Sequence, residues 1–208
     1  MGPFPRGPLT SAQLLPFGAT FEFETGRRHV LERMESPSVV LSKGSVSFSD
    51  PAFLRYETPR VVATLRPGEH PVLVGVFSFP APGKPGERLR RAAVMALGDT
   101  TKVKRWRPIR IDGQPFFFGV DAGTGLVYDS AAYDTLVSTI EASDDEVFQT
   151  VIDEVVAPIR VPEEIAGLAF DCGMGDGAYP VYLGTDASGE PVAVAADLEL
   201  HHHAKRVN

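Results

Sequence analysis

Short alternating runs dominate the pattern of apolar and polar positions along this chain; long helical stripes are few. Phe21 and Phe23 share one face of residues 17–23. Val39-Val40-Leu41 and Ser45-Val46-Ser47-Phe48 read as two strands with Lys43-Gly44 in the turn between them. Residues 60–65 are a further strand candidate, Pro67-Gly68 marks a turn, and residues 72–79 read as a long, well-buried strand. Residues 80–86 form a loop by their Pro and Gly content. Residues 90–97 follow as a strand in which Ala92, Val94 and Ala96 alternate against Ala93, Met95 and Leu97. Towards the C-terminus the order is strand (179–183), turn (186–189), strand (192–198).

Two segments carry a helical period instead. Residues 130–140, with Asp129 as N-cap, place Ala132, Tyr133, Leu136 and Ile140 along one side. Residues 143–157 are the stronger case. Ser143 and Glu146 make a capping box, and Asp144 and Asp145 suit the positive end of the helix dipole. Val147, Phe148, Val151, Ile152, Val155 and Val156 form an apolar stripe, which predicts a buried Phe148, and Pro158 stops the helix. The pattern as a whole predicts a β-rich α+β fold. We expect an antiparallel β-sandwich or open barrel with one or two helices, at about residues 130–157, packed on a sheet. Residues 1–16, rich in Pro and Gly, read as a flexible or extended arm, with Phe4, Leu14 and Leu15 available to dock it. Residues 17–208 then form a single β-rich domain.

Composition narrows the function classes. A hydrophobic fraction of 43% is enough to fill a core in 208 residues. A formal net charge of -7 argues against a general nucleic-acid or anionic-membrane surface. The charge is segregated: basic residues crowd residues 88–110, whereas residues 111–159 contain no Lys or Arg and accumulate acids. Two blocks that face each other or face water explain this, and the sharper reading is a basic strip meeting an acidic partner or a phosphate. Trp106, among the arginines, either packs or stacks a base. One cysteine excludes an internal disulfide. The start of the chain lacks the pattern of a signal peptide, and no apolar run approaches the ~20 residues of a membrane helix, so the expected compartment is the cytoplasm.

The chemistry concentrates in two glycine-rich motifs. Val120-Asp121-Ala122-Gly123-Thr124-Gly125, followed by Asp129, is one. Gly173-Met174-Gly175-Asp176-Gly177-Ala178-Tyr179-Pro180 is the other. Glycines around an acid permit positive φ and close backbone approach. Each acid either accepts N–H bonds in its own turn or faces a ligand; a shared site would contain Asp121, Gly123, Thr124, Asp129, Cys172, Gly175, Asp176, Gly177 and Tyr179. Asp121, Asp129, Asp176 and Asp197 are hard oxygen ligands of the kind Mg²⁺ or Ca²⁺ takes. Residues 186–190 lack the acid repeats of a calcium loop and read as a hairpin turn. Cys172 would need a basic partner to act as a nucleophile, and none of the five histidines is tied to it locally. His201-His202-His203 can hold a transition metal adventitiously.

The same residues carry a resemblance. Leu41-Ser42-Lys43-Gly44-Ser45-Val46 running into Asp50-Pro51, Pro67-Gly68-Glu69-His70-Pro71-Val72, the Asp121 motif with Asp129, and Gly175-Asp176-Gly177 with Tyr179-Pro180, Asp186 and Gly189 resemble a bacterial family known as domain of unknown function 4241. Asp197 resembles an acid near the family's end. The chain departs from the pattern at Cys172, Met174 and Leu198, where Ser, Trp and Phe are expected. The resemblance implies a soluble binding or interaction module with a Gly-rich acidic cleft, taking a protein partner or a small ligand, accessory to a toxin–immunity or defence system. The alternative is a metal-dependent hydrolase acting on a phosphoester, with Asp121, Asp129 and Asp176 holding the ion and Tyr179 or Thr124 orienting substrate. Carboxylates on glycine turns serve both.

Overall fold

The computed structural model describes residues 8–57, 59–143 and 145–208. In chain order it contains α1 (Ser11–Leu14), β1 (Thr20–Phe23), β2 (Arg28–Val30), β3 (Glu32–Leu41), β4 (Ser45–Ser49), β5 (Ala63–Thr64), β6 (Gly68–Pro80) and β7 (Arg88–Gly98). There follow β8 (Arg105–Pro108), β9 (Arg110–Ile111), β10 (Gln114–Pro115), β11 (Phe117–Val120), β12 (Thr124–Asp129), α2 (Tyr133–Ala142) and α3 (Glu146–Glu154). The chain closes with β13 (Val156–Val161), β14 (Glu164–Asp171), β15 (Gly177–Thr185), β16 (Pro191–Asp197) and β17 (Ala204–Arg206).

Every strand pair is antiparallel. The larger sheet has seven strands in the order β11-β15-β16-β7-β6-β3, with β8 also on β15, and a five-stranded sheet runs β13-β14-β12-β4-β5. Their inner faces meet in one core, to which Val72, Met95 and Val194 come from the first sheet and Val46, Val127 and Phe170 from the second. The arrangement is sandwich-like and is not a closed barrel. Helices α2 and α3 cover the outer face of the five-stranded sheet through Leu136, Ile140, Val147 and Val151. The outer face of the larger sheet is covered by the two ends of the chain. Leu14 and Leu15 pack there with Trp106 and Tyr182, and β1, β2 and β17 form a small sheet whose Phe21 sits against Phe77. Among the described residues no helix is long and apolar enough to cross a membrane.

Several expectations change in the structure. Residues 39–41 and 45–48 are strands, but they do not form a hairpin: β3 pairs with β6 in one sheet and β4 with β12 in the other. The chain therefore crosses between sheets at residues 42–44. Gly44 makes that corner, with φ +77 and a position where a Cβ would fall 2.1 Å from the Leu65 carbonyl oxygen. In β7 the strict alternation fails at one step, because the register to β6 shifts between Gly75 and Val76. The extra residue sends Ala92 to the inner core and Ala93 to the outer one. Of residues 60–65, only β5 is strand.

The second helix is shorter than its apolar stripe. Asp145 is the N-cap without a side-chain bond, and the Ser143 hydroxyl instead donates to Ile140 O at the end of α2, so the capping box does not form. Asp144 lies outside the described residues. The helix ends at Val155, which takes φ +76 and is buried, and Val156 begins an edge strand in which Pro158 sits opposite Leu168. An edge strand tolerates a residue with no N–H to give. Because a true helix turns by 100° per residue, Phe148 ends half-buried and Ile152 is 65% exposed, while Val147 and Val151 face the sheet. Trp106 is fully buried and its indole N–H donates to Ser11 Oγ at 3.1 Å, so it packs the outer face and does not offer a ring to a base.

These placements set expected outcomes in urea denaturation. Gly44→Ala should lower stability by more than about 1–2 kcal/mol, the cost of the left-handed region alone, since the Leu65 carbonyl must also move. Leu136→Ala, in the fully buried layer under α2, should cost about 2–5 kcal/mol. Phe148→Ala should cost only about 1 kcal/mol, as befits a ring that keeps part of its surface in water. A Phe148 loss as large as that of Leu136 would show that α3 packs differently.

Candidate functional site

Both glycine-rich motifs arrive at one end of the sandwich. Strand β11 pairs with β15 in a register that sets Val120 opposite Gly177, so Asp121 follows and Asp176 precedes the last pair of that ladder. On the other sheet Thr124 pairs with Asp171, and Cys172 N donates to Gly123 O at 2.9 Å. A Cβ on Gly123 would lie 3.8 Å from Gly175 Cα, ordinary van der Waals contact. Gly123 and Gly175 both have positive φ, +66 and +86; Gly177 begins a regular strand. The two motifs are thus one structure in space, stitched together by backbone.

The aspartates of the motifs do not organise it. Asp50 does. Its carboxylate is 2% exposed and accepts Asp121 N at 2.7 Å and Ala122 N at 3.1 Å through Oδ2, and Ala52 N at 2.8 Å through Oδ1. A carboxylate buried this way is sustained only by such donors. Local sequence held half of this signal: Asp-Pro followed by an i+2 N–H bond is an Asx-turn pattern. The other half, two donors some seventy positions away, had no local signature.

Tyr179 is buried, and its hydroxyl donates to Gly175 O at 2.6 Å, pinning the second loop. Burial pushes its pKa up, so it stays a neutral donor. Cys172 is wholly buried, and burial drives its thiol well above the usual value, with Asp171 and Asp50 adding to the effect. A nucleophilic cysteine needs the opposite shift. Thr124 is also buried. Asp171 accepts Ala92 N at 2.7 Å and has the Arg91 guanidinium 3.4 Å away; burial outweighs both and raises its pKa. Arg91 also donates to Gly173 O at 3.1 Å, tying β7 to the second loop.

What faces water is a different set. Asp121 and Asp176 are exposed, and among the described residues nothing donates to their carboxylates. Beside Gly123 and Thr124 lies a hollow of 160 Å³ walled by Arg91, Asp171, Phe148 and Ile152. Phe148 also lines a larger hollow of 540 Å³, with Leu54, Arg55, Ile140 and Asp145. Exposed Met174 stands in the second motif itself.

The other two acids lie elsewhere in the architecture. Asp129 ends β12, five residues from Thr124 and so about 17 Å along the strand. Its buried carboxylate accepts Ser42 N at 2.9 Å, Ser42 Oγ at 2.5 Å and Ala131 N at 3.2 Å, holding the corner between sheets and capping the turn into α2. Asp197 ends β16 beside His201 and His202, and these three form the group among the described residues whose possible ligand atoms all lie within 4.8 Å of one another. The turn at residues 186–189 joins β15 to β16, with Asp186 Oδ1 accepting Ser188 N at 2.8 Å and Glu190 N at 3.1 Å.

This division of labour has a measurable consequence. Asp50→Asn offers one oxygen where two are used, and its amide must point at N–H groups. It should lose roughly 1–3 kcal/mol in chemical denaturation. Asp121→Asn and Asp176→Asn should each change stability by less than about 0.5 kcal/mol, as exposed positions do. A reversed ranking would return the structural role to the motif acids.

No curated protein and no solved structure matches the chain. Residues 39–196 match the family described as protein of unknown function (DUF4241). That span takes in the sheet corner, the Asp50 clamp and both glycine-rich motifs, and on it the chain belongs to the DUF4241 family.

Proposed function

We propose that the chain is a binding module whose Gly-rich acidic cleft, at the junction of the two motifs, takes a basic segment of a partner protein. The observation that carries this reading is that the two exposed acids, Asp121 and Asp176, flank the last paired residues of neighbouring strands β11 and β15, Val120 and Gly177. Like charges at neighbouring strand ends repel, and a bound cation relieves that cost. A lysine or arginine of a partner supplies it. Apolar Met174, Phe148 and Ile152 nearby give the partner's side chains a surface to bury. The backbone around the acids is fixed by Asp50 and Tyr179, so little ordering cost falls on binding. The toxin–immunity or defence setting belongs to this proposal through family resemblance alone.

Two carboxylates are a thin ligand set for Mg²⁺ or Ca²⁺, which take six or more oxygens. Among the described residues no third His, Cys, Asp or Glu joins Asp121 and Asp176 in a cluster. On that ground we favour the basic partner over the phosphoester hydrolase. A labelled peptide of alternating lysine and leucine should bind with an affinity that falls as salt rises, and Asp121→Asn with Asp176→Asn should weaken it several-fold, while an acidic counterpart peptide should not bind. Equal binding by the double variant would overturn the assignment of the cleft. Magnesium-dependent cleavage of a phosphodiester, abolished by Asp176→Asn, would replace it with the hydrolase.

A further inference from the structure

We infer that Asp197, His201 and His202 form a built site for a first-row transition metal ion of the Zn²⁺ class. The local chain is shaped for it. After β16 ends at Asp197, Leu198 N bonds back to Ala93 O and Glu199 takes a left-handed turn at φ +60. The single 3-10 turn Leu200–His203 then folds back over the strand end. Neighbouring residues on a 3-10 turn point about 120° apart, so they seldom serve one target. Here the rings of His201 and His202 nevertheless come together, with centroids 4.2 Å apart, above one carboxylate.

The donor set fits the ion. His202 Nε2 lies 2.9 Å from Asp197 Oδ2, and His201 Nδ1 lies 3.8 Å from Oδ1. Tetrahedral Zn²⁺ with bonds of about 2.0–2.1 Å sets neighbouring ligand atoms roughly 3.3 Å apart. These two separations run to different carboxylate oxygens, and one ligand atom from each residue lies within 4.8 Å of the others, so the side chains must close by about an ångström to admit the ion. Two imidazoles and a carboxylate favour zinc and its neighbours over Mg²⁺ or Ca²⁺, and three protein ligands leave a position for water or for a donor from another molecule.

The second observation concerns His201 alone. It is only 7% exposed, and among the described residues its Nδ1 is buried with no hydrogen-bond partner. At 3.8 Å the Asp197 oxygen is too distant for a hydrogen bond. The ring is meanwhile braced by the edge of Phe21 at 6.0 Å between centroids. A buried ring with a bare nitrogen beside a buried carboxylate has the donor that a metal-bound histidine needs. Simple packing of a histidine does not call for an orphaned nitrogen aimed at an acid. His202, half exposed, leaves the ion a way in. The neighbouring Leu200 packs against Gly173, so the site abuts the second glycine-rich loop. It lies just beyond the segment matched by the family, residues 39–196.

The test uses the full chain, purified without a histidine tag and stripped with a chelator. Zinc, titrated in competition with a chromophoric chelator, should bind one per chain at micromolar or tighter affinity and raise the unfolding temperature. Cobalt in its place should show the intense visible bands of a four-coordinate ion. His202→Ala, whose ring is half exposed and whose loss should spare the fold, should weaken binding by roughly 100-fold or more. Asp197→Asn and His201→Ala should do the same where they fold. His203→Ala should change nothing. Absence of zinc binding by the unaltered chain would overturn the site. So would equal losses in His202→Ala and His203→Ala, which would reduce it to adventitious capture by a run of histidines.

Discussion

Strands β7 and β16 are buried on both faces, and much of the architecture answers that constraint. Met95, Leu97, Val194 and Ala196 need a cover on one side, and Val94, Ala96, Ala193 and Ala195 need one on the other. The five-stranded sheet supplies the first. The chain ends supply the second, with α1 lying over Trp106 and the small β17-β1-β2 sheet over Phe77 and Ala93. Each fully buried valine or leucine contributes about 1.5–3 kcal/mol, so leaving either face open would forfeit more than a typical domain's whole net stability. Alanines on the outer face keep the covering segments close.

Joining two sheets requires the chain to leave one and enter the other, and such crossings leave backbone groups without ladder partners. Buried aspartates meet that need. Asp129 receives Ser42 at the β3–β4 corner, Asp50 receives Asp121 and Ala122 after β11, Asp171 receives Ala92 on β7, and Asp197 receives Glu199 after β16. These are the buried aspartates among the described residues, and each accepts a backbone N–H. Asp121 and Asp176 remain exposed, and Asp50 takes the turn N–H groups of Asp121 and Ala122. Buried clamp and exposed acids thereby lie within a few residues of each other. The Asp197 cluster departs from this division, since its carboxylate both accepts Glu199 N and faces two imidazoles.

Local sequence determined a good deal. Alternation located β4, β6, β7, β15 and β16, the helical period located α2 and α3, and glycine density picked out loops that do adopt positive φ at Gly123 and Gly175. Those features rest on interactions within a few residues, so they are visible in one chain read in order. Tertiary structure alone decided the rest. It split β3 and β4 between sheets, turned the last residues of the apolar stripe into β13, and flipped Ala93 by a one-residue bulge. It also sorted the aspartates into clamps and exposed acids. Every Asp has the same side chain and the same turn preference, and what separates Asp50 from Asp121 is which N–H groups, about seventy residues away, fold back within 3.1 Å of it. Pairing at that separation depends on how two sheets stack, a property of the whole core that no stretch of sequence carries by itself.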